Sequence, residues 1–520
     1  MPSVRSRSTR GLEGVGVSDD ATGPNYAGLV ARAAHRHGDR LALVGGDRRL
    51  TWAEVEAEVA GRAAGLAALG LRPGARLALL LPNTLDFPVH LFAALRAGLV
   101  VVPLNTGYTA PEVHHQLTDS GASAVVTDEE GAGLLAEIRA DLRELRHVLR
   151  PDAIGVPGGP PVVTAPTGGE DLAVVVYTSG TSGRPRGAML SHRALLANLE
   201  QLGAIDPVPV TERDVVLQVL PLFHIYGLNV GLGMQTWAGA TGVLVERFDP
   251  QACLLLMAEE RVTTVVGAPP MYVVWARGDR AALRAGWAHV RVALSGAAPL
   301  PAGVLATLRE ATGVEVHEGY GLTETAPVLT STLVGGQPKP GSIGRPVPRV
   351  ELELRDDDGE PVRADEDGGT GQITVRGPNL FSGYWPDGAD GPDADGWLET
   401  GDIGFLDDDG DLHLVDRMKD LILVSGFNVY PQEVEAVLLG HPGVREVAVV
   451  AGPDDLTGET VRAIVVPTPG AEPTEAELRA HCRAELARFK VPTGVSFVPE
   501  LPHSVTGKVS RSRLRELGLA

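Results

Sequence analysis

At 520 residues the chain is longer than one ordinary hydrophobic core organises, so two or more domains are expected. With 44% hydrophobic and 21% charged residues it has the composition of a soluble globular protein. Its 45 basic against 66 acidic residues, a formal net charge of −21, argue against nucleic acid or an anionic membrane as the main partner. The longest apolar runs, 77–81 and 99–103, are far too short to span a bilayer, so no stable membrane insertion is expected.

Residues 1–23 read as a disordered tail, rich in Gly and Ser, with Arg5, Arg7 and Arg10 and no apolar segment behind them to make a secretory signal. Thr51-Trp-Ala-Glu54 is a capping box that opens an amphipathic helix ending near Gly70. A strand at 76–81, a helix at about 85–97 and a strand at 99–103 follow, an alternation that predicts a parallel sheet covered by helices. Pro and Gly crowd 151–169, a loop between two such units, and 172–177 is a short, wholly apolar strand of the buried parallel kind. From about 339 to 416 the texture is that of antiparallel hairpins. Strands at 350–355 and 371–377 surround the turn Asp356–Gly359, and 405–406 and 412–415 surround Asp407–Asp411. Beyond Asp416 a helix runs from Pro431 to Gly440, with strands near 446–450 and 463–466. A second helix starts at the capping box Thr474–Glu477, and a strand follows at 495–498. No internal repeat is present. The expected fold class is α/β. A large N-terminal domain (24–417) holds parallel α/β subdomains plus a small antiparallel β-barrel (339–416), and a small, mobile α+β C-terminal domain follows (418–520). Cys253 and Cys482 have no CxxC partner, so neither a metal site nor a disulfide scaffold is expected, and a reducing cytoplasm fits best.

Directly after the 172–177 strand stands Tyr177-Thr-Ser-Gly-Thr-Ser-Gly-Arg-Pro-Arg-Gly187. Glycines permit close backbone approach, the hydroxyls of Thr178, Ser179, Thr181 and Ser182 donate to phosphate oxygens, and two arginines bring positive charge. A polyphosphate suits this chemistry, and the spacing is not that of a Walker loop. A helix capped by Ser191 is expected just after it. The alternative is a flexible Gly/Ser surface loop.

This loop resembles the signature of the adenylate-forming superfamily, which includes acyl-CoA synthetases, peptide-synthetase adenylation domains and luciferases. The resemblance extends from about residue 25 to the end, because further motifs recur in the family's order. They are Pro221-Leu-Phe-His-Ile-Tyr-Gly227, Ser295-Gly-Ala-Ala298, Glu318-Gly-Tyr-Gly-Leu-Thr-Glu324, Thr400-Gly-Asp402, Asp416-Arg-Met-Lys-Asp420, Ser425-Gly-Phe-Asn428 and Thr506-Gly-Lys508.

The resemblance implies that ATP binds along Thr178, Ser179, Gly180, Thr181, Ser182, Gly183 and Arg186. Gly296, Ala297 and Ala298 would form a flat wall for the base, beside Tyr320 and Gly321, and Asp402 and Arg417 would take the ribose hydroxyls. Thr323 would bind the α-phosphate, and Glu324, with Thr178, would hold Mg2+, for which a carboxylate is the right hard oxygen ligand. Lys508 would bridge the substrate carboxylate and the α-phosphate. Lys419 falls at the family's interdomain hinge, which allows two lids over one site. Ser425 and Gly426 would line the path of the coenzyme A arm; for Gly426 an ordinary turn is the equal alternative. His224 would gate or line an acyl pocket with Tyr226, Trp237 and Met271. Taken singly, Trp237 and Met271 read equally well as plain core. No acid stands near His224 to pair with an amino group, which disfavours an amino acid substrate. One departure is clear: the family's Pro-Lys-Gly is here Pro185-Arg186-Gly187. The expected enzyme is an ATP-dependent carboxylate–CoA ligase with ATP and Mg2+ as cofactors and a hydrophobic carboxylic acid and coenzyme A as partners. The sequence leaves open an acyl-AMP ligase that loads a carrier protein, a non-catalytic nucleotide-binding protein, and a homodimer.

Overall fold

The computed structural model describes residues 24–155, 165–178, 185–335, 338–356, 358–362, 369–417, 422–424, 427–429, 431–454, 458–486 and 488–503, together with Val509, Arg513, Leu514 and Leu517. Four sheets carry the architecture. Six strands run in the order His147–Leu149, Ala124–Thr127, Arg76–Leu80, Val100–Pro103, Leu172–Thr178 and Arg186–Ser191. All neighbours are parallel except the last pair. The helices Asp86–Arg96 and Ala110–Ser120 cross between these strands, as the alternation predicts. Leu77, Leu79, Val101 and Val174 are fully buried, each contributing about 1.5–3 kcal/mol of apolar burial.

A nine-stranded sheet has a central parallel run, Val215–Gln218, Thr264–Gly267, Val292–Ser295 and Val316–Gly321. Antiparallel strands Val328–Ser331 and Arg345–Pro346 extend it. The hairpins expected after 339 form a four-stranded antiparallel sheet, Glu351–Arg355, Thr370–Arg376, Trp397–Leu406 and Leu412–Arg417. The C-terminal sheet pairs Val444–Asp454 with Gly458–Pro467, flanked by Ile422–Val424, Phe427–Val429 and Gly494–Phe497.

The capping boxes are where the sequence puts them. Thr51 N donates to Glu54 at 2.7 Å and starts the helix Trp52–Ala68, and Thr474 N donates to Glu477 at 2.8 Å and starts Glu475–Glu485. Ser191 caps His192–Gly203 through Ala194 N, as expected. One expectation needs correction. The strand Leu172–Thr178 does not lead straight into that helix; it turns back into Arg186–Ser191, so the Gly/Ser loop closes a β-hairpin. Residues Tyr226–Gly233 form a π-helical stretch, which periodicity did not foretell. The 1–23 tail and residues 156–164 of the 151–169 loop lie outside the described residues. No helix among the described residues is long and apolar enough to cross a membrane, and Cys253 and Cys482 are both buried and free.

Candidate functional site

The hairpin sets Thr178 and Arg186 side by side as a cross-strand pair. Ser179, Gly180, Thr181, Ser182 and Gly183, between them, lie outside the described residues. At Gly187 a Cβ would come within 2.6 Å of Val175 Cγ1, so only glycine lets the strands close here. A distant segment, Phe381–Trp385, lies along this hairpin. Met189 N donates to Gly383 O (3.1 Å), Ser382 N to Met189 O (2.9 Å) and Trp385 N to Gly187 O (2.8 Å). It delivers Tyr384. The Arg186 guanidinium sits 3.8 Å from the centre of the Tyr384 ring and 2.7 Å from Asp390. The Tyr384 hydroxyl donates to Glu324 Oε1. Burial first, and then the Glu324 carboxylate, hold that hydroxyl far above the ordinary phenol range, so it stays protonated and donates. Four chain segments thus bring a carboxylate, two hydroxyls and a guanidinium into one corner. Of these, the Glu324 carboxylate, the Thr178 hydroxyl and the Arg186 guanidinium are chemically suited to a Mg2+-bound polyphosphate, while the Tyr384 hydroxyl is engaged by Glu324.

Glu324 is aimed by the turn that follows it. Thr323–Thr325 form a single 3₁₀ turn, after which Ala326 has φ +63°. Three buried asparagines grip the next carbonyls: Asn379 donates to Thr325 O (2.7 Å), Asn229 to Ala326 O (2.6 Å) and Asn198 to Val328 O (2.8 Å). Gly321 crosses the returning chain so closely that a Cβ would stand 1.7 Å from Pro327 O.

At the other end of the Tyr320–Glu324 segment, the Tyr320 hydroxyl donates to Asp402 Oδ2 at 2.7 Å, and both residues are buried. Asp402 N in turn donates to Thr400 Oγ1 at 3.1 Å. Arg417 is the cross-strand partner of Asp402 in backbone register; its side chain is not among those described. Ser295 and Glu318 are neighbours in parallel register. Glu318 Oε1 accepts from Leu300 N at 2.9 Å and so ties down the Gly296–Ala298 turn, where Ala297 has φ +71°. Burial raises the Glu318 carboxyl above its usual range.

Among the residues expected to line an acyl pocket, His224 Nδ1 accepts from Tyr226 N at 3.2 Å, fixing that nitrogen as the unprotonated one. The Tyr226 ring lies against Gly296, where a Cβ would meet it at 3.2 Å, and burial pushes its hydroxyl well above the ordinary range. Trp237 is not brought to this place. Its ring covers Gly203 and lies under the Arg32 guanidinium at 5.6 Å, wedged between the helices Gly28–His37 and His192–Gly203. Its large apolar ring fills space between two helices, which is the plain-core reading. Met271 is buried in a core cluster with Trp275 and Leu217, while Tyr226 packs on another. Of the three, Tyr226 is the one whose ring is the nearest neighbour of the Gly296 backbone. Lys508, Lys419, Ser425 and Gly426 lie outside the described residues.

Tyr384, Asp390 and the three asparagines escaped the sequence reading. Each acts on a partner 54 or more residues away in the chain, and no spacing marks that. Away from this corner, Asp407, Asp409 and Asp411 cluster on one turn, but Lys339 and Arg345 already answer them. Lys339 first, and then its other hydrogen bonds, hold Asp407 well below the usual carboxylate range. A surface hollow of about 550 Å³ lies elsewhere, between Pro24, Asp171 and Arg349.

The chain matches the family model described as "AMP-binding enzyme" over residues 30–385 and the "AMP-binding enzyme C-terminal domain" over residues 433–508. It is 36% identical over 541 residues to the long-chain-fatty-acid–CoA ligase of Yersinia pestis, across 94% of each chain. It is 39% identical over 487 residues to the feruloyl-CoA synthase of an Amycolatopsis species, across 93% of this chain and 97% of that one. Among solved structures, ATP-bound MatB from Rhodopseudomonas palustris matches with a TM-score of 0.87 at 35% identity, across 95% of this chain and 99% of that one. The sheets and the ordered motifs agree with these matches, and the chain belongs to the AMP-binding enzyme family, the adenylate-forming superfamily of the acyl-CoA synthetases.

Proposed function

We propose that this chain is an AMP-forming carboxylate–CoA ligase acting on a hydrophobic monocarboxylic acid. The observation that carries the proposal is the Tyr320–Glu324 segment. It has a buried Tyr320–Asp402 pair at one end and the Glu324, Thr178, Arg186 and Tyr384 corner at the other. That spacing suits a nucleotide lying base to phosphate along the segment. Tyr320 offers its face to adenine beside Gly296, Ala297 and Ala298; Asp402 and Arg417 accept and donate to the ribose hydroxyls. Thr323, Thr178 and Arg186 hold phosphate oxygens, with the loop residues Ser179 to Gly183.

In the first half-reaction a carboxylate oxygen attacks the α-phosphorus and pyrophosphate leaves, giving the acyl-adenylate. Glu324 and Thr178 would hold Mg2+, which when bound neutralises charge on the phosphates. Lys508 offsets repulsion between the incoming carboxylate and the α-phosphate. In the second half-reaction the thiolate of coenzyme A attacks the acyl carbonyl carbon and AMP leaves. The two steps call for two arrangements of a C-terminal lid (418–520) on the N-terminal domain (24–417), with Lys419 at the hinge and Ser425 and Gly426 along the thiol's path.

The acyl group lies beside His224 and Tyr226. A hydrophobic acid is favoured because this stretch offers apolar burial and residues 221–238 hold no Lys, Arg, Asp or Glu to meet a second charge. The relatives named for long-chain fatty acids and for ferulate support the same class. Pyrophosphate release measured over a panel of carboxylic acids with coenzyme A tests the reading. Aliphatic or aromatic monocarboxylates are expected to lead, with kcat/KM growing with apolar size up to a cutoff. Preference for malonate or an amino acid would overturn the substrate class.

A further inference from the structure

We propose that Tyr384 is a positioning residue for the Glu324 carboxylate, and that the stacked Arg186 guanidinium keeps Tyr384 in place. The inference rests on the reading of Glu324 as the metal-side carboxylate and adds two residues to it. The Tyr384 hydroxyl engages one oxygen of Glu324. A carboxylate has about four lone-pair sites, so the second oxygen stays available to a metal, now in a fixed direction.

Tyr384 is held on several sides. Its strip is laced by backbone hydrogen bonds to Gly187 and Met189. Phe381 meets its ring edge-on, 5.1 Å between centroids. Arg186 covers a face at 3.8 Å. Arg186 is itself placed by its register with Thr178 and by its 2.7 Å pair with Asp390, whose backbone takes the left-handed φ of +53°. That conformation costs energy in a residue other than glycine and persists where surroundings enforce it. A planar guanidinium can lie flat on a ring while its N–H edge still points at an anion; a lysine ammonium has no face to offer. Arg186 in the Pro-Arg-Gly ending therefore serves two ends, the proposed phosphate binding and support of Tyr384, and a guanidinium suits the second better than an ammonium.

Tyr384→Phe removes the hydroxyl and leaves the ring and its stack. ATP binding to the full-length protein is titrated directly, with and without metal, at rising Mg2+. Loss of a group that orients a metal ligand commonly weakens metal affinity 10–100-fold, so the Mg2+ needed for half-maximal binding is expected to rise about tenfold. Metal-free ATP binding and the thermal midpoint should stay where they are. Arg186→Lys keeps the charge and loses the stack, and gives an independent line if the first variant folds poorly. Its Mg2+ requirement should rise roughly threefold. An unchanged Mg2+ requirement in Tyr384→Phe overturns the role of Tyr384 alone. Wild-type protein whose ATP binding ignores Mg2+ overturns the metal role of Glu324, and the proposal with it.

Discussion

The two ends of the Tyr320–Glu324 segment are built on opposite principles. At the Tyr320 end a phenol and a carboxylate are bonded to each other in a buried setting, and Asp402 is only 5% exposed. At the Glu324 end the charged groups are partly open: the Arg186 side chain is 31% exposed and its partner Asp390 70%. Under the proposed reading the Tyr320 end meets a neutral base and ribose, which fixed, dry groups can serve. A polyphosphate brings several charges and water, and its site must keep its own charges solvated and provisionally paired until the ligand arrives. One end is set for shape, the other for exchange.

Breaking the open end should have the largest effect. Glu324→Gln is expected to lower kcat for acyl-adenylate formation by about 100-fold or more, since a neutral amide is a poor Mg2+ ligand and electrostatic losses at such positions reach that size. Wild-type turnover at limiting Mg2+ would show that the open end is not metal-dependent. The closed end should respond differently. Asp402→Ala removes hydrogen bonds to a charged group, worth about 1.5–3 kcal/mol, so the KM for ATP should rise roughly 10–100-fold with its Mg2+ dependence unaltered. If Asp402→Ala shifts the Mg2+ requirement instead, the two ends are not separate.

The smallest effect concerns the scaffold just beyond the hairpin. His192 is 1% exposed, and its Nδ1 accepts from Tyr26 N at 3.0 Å. Burial lowers its pKa from 6.5 to about 4. The folded value lies below the unfolded one, so the unfolded chain binds the extra proton between them. The stability from this residue is full above about pH 6.5 and is lost as pH falls towards about 4, by roughly 3 kcal/mol at most. Denaturant midpoints from pH 7 to 4.5 should fall more steeply in the wild type than in His192→Asn, which keeps an acceptor and cannot charge. Equal slopes would assign the acid loss to other groups.

What the sequence discloses tracks how local the physics is. Thr51–Glu54, Thr474–Glu477 and Ser191 cap helices through partners three residues away, and all are legible. So are the Asp-rich turns of the antiparallel sheet, since two strands and a turn fit in one short window. The strand Arg186–Ser191 was not legible, because six residues leading into a capped helix carry too little alternation to announce a strand. Tyr384 meets Glu324 across 60 residues, and nothing in Gly-Tyr-Trp says so. Trp237 shows the opposite failure: an aromatic residue near pocket-lining segments serves a core equally well, and only its neighbours Gly203 and Arg32 decide.

The contact between Tyr226 and Gly296 bears on how such a protein can change its diet. If the Gly296 turn is the nucleotide wall and Tyr226 borders the acyl pocket, as proposed, then this ring and the bare backbone it packs on are the partition between the two. Any side chain added at Gly296 pushes on Tyr226, and any enlargement of the acyl space through Tyr226 removes support from the wall that every substrate shares. New acids are therefore more cheaply accommodated by remodelling walls remote from this partition. In a lineage of such enzymes the shared wall should drift least and the far end of the acyl space most.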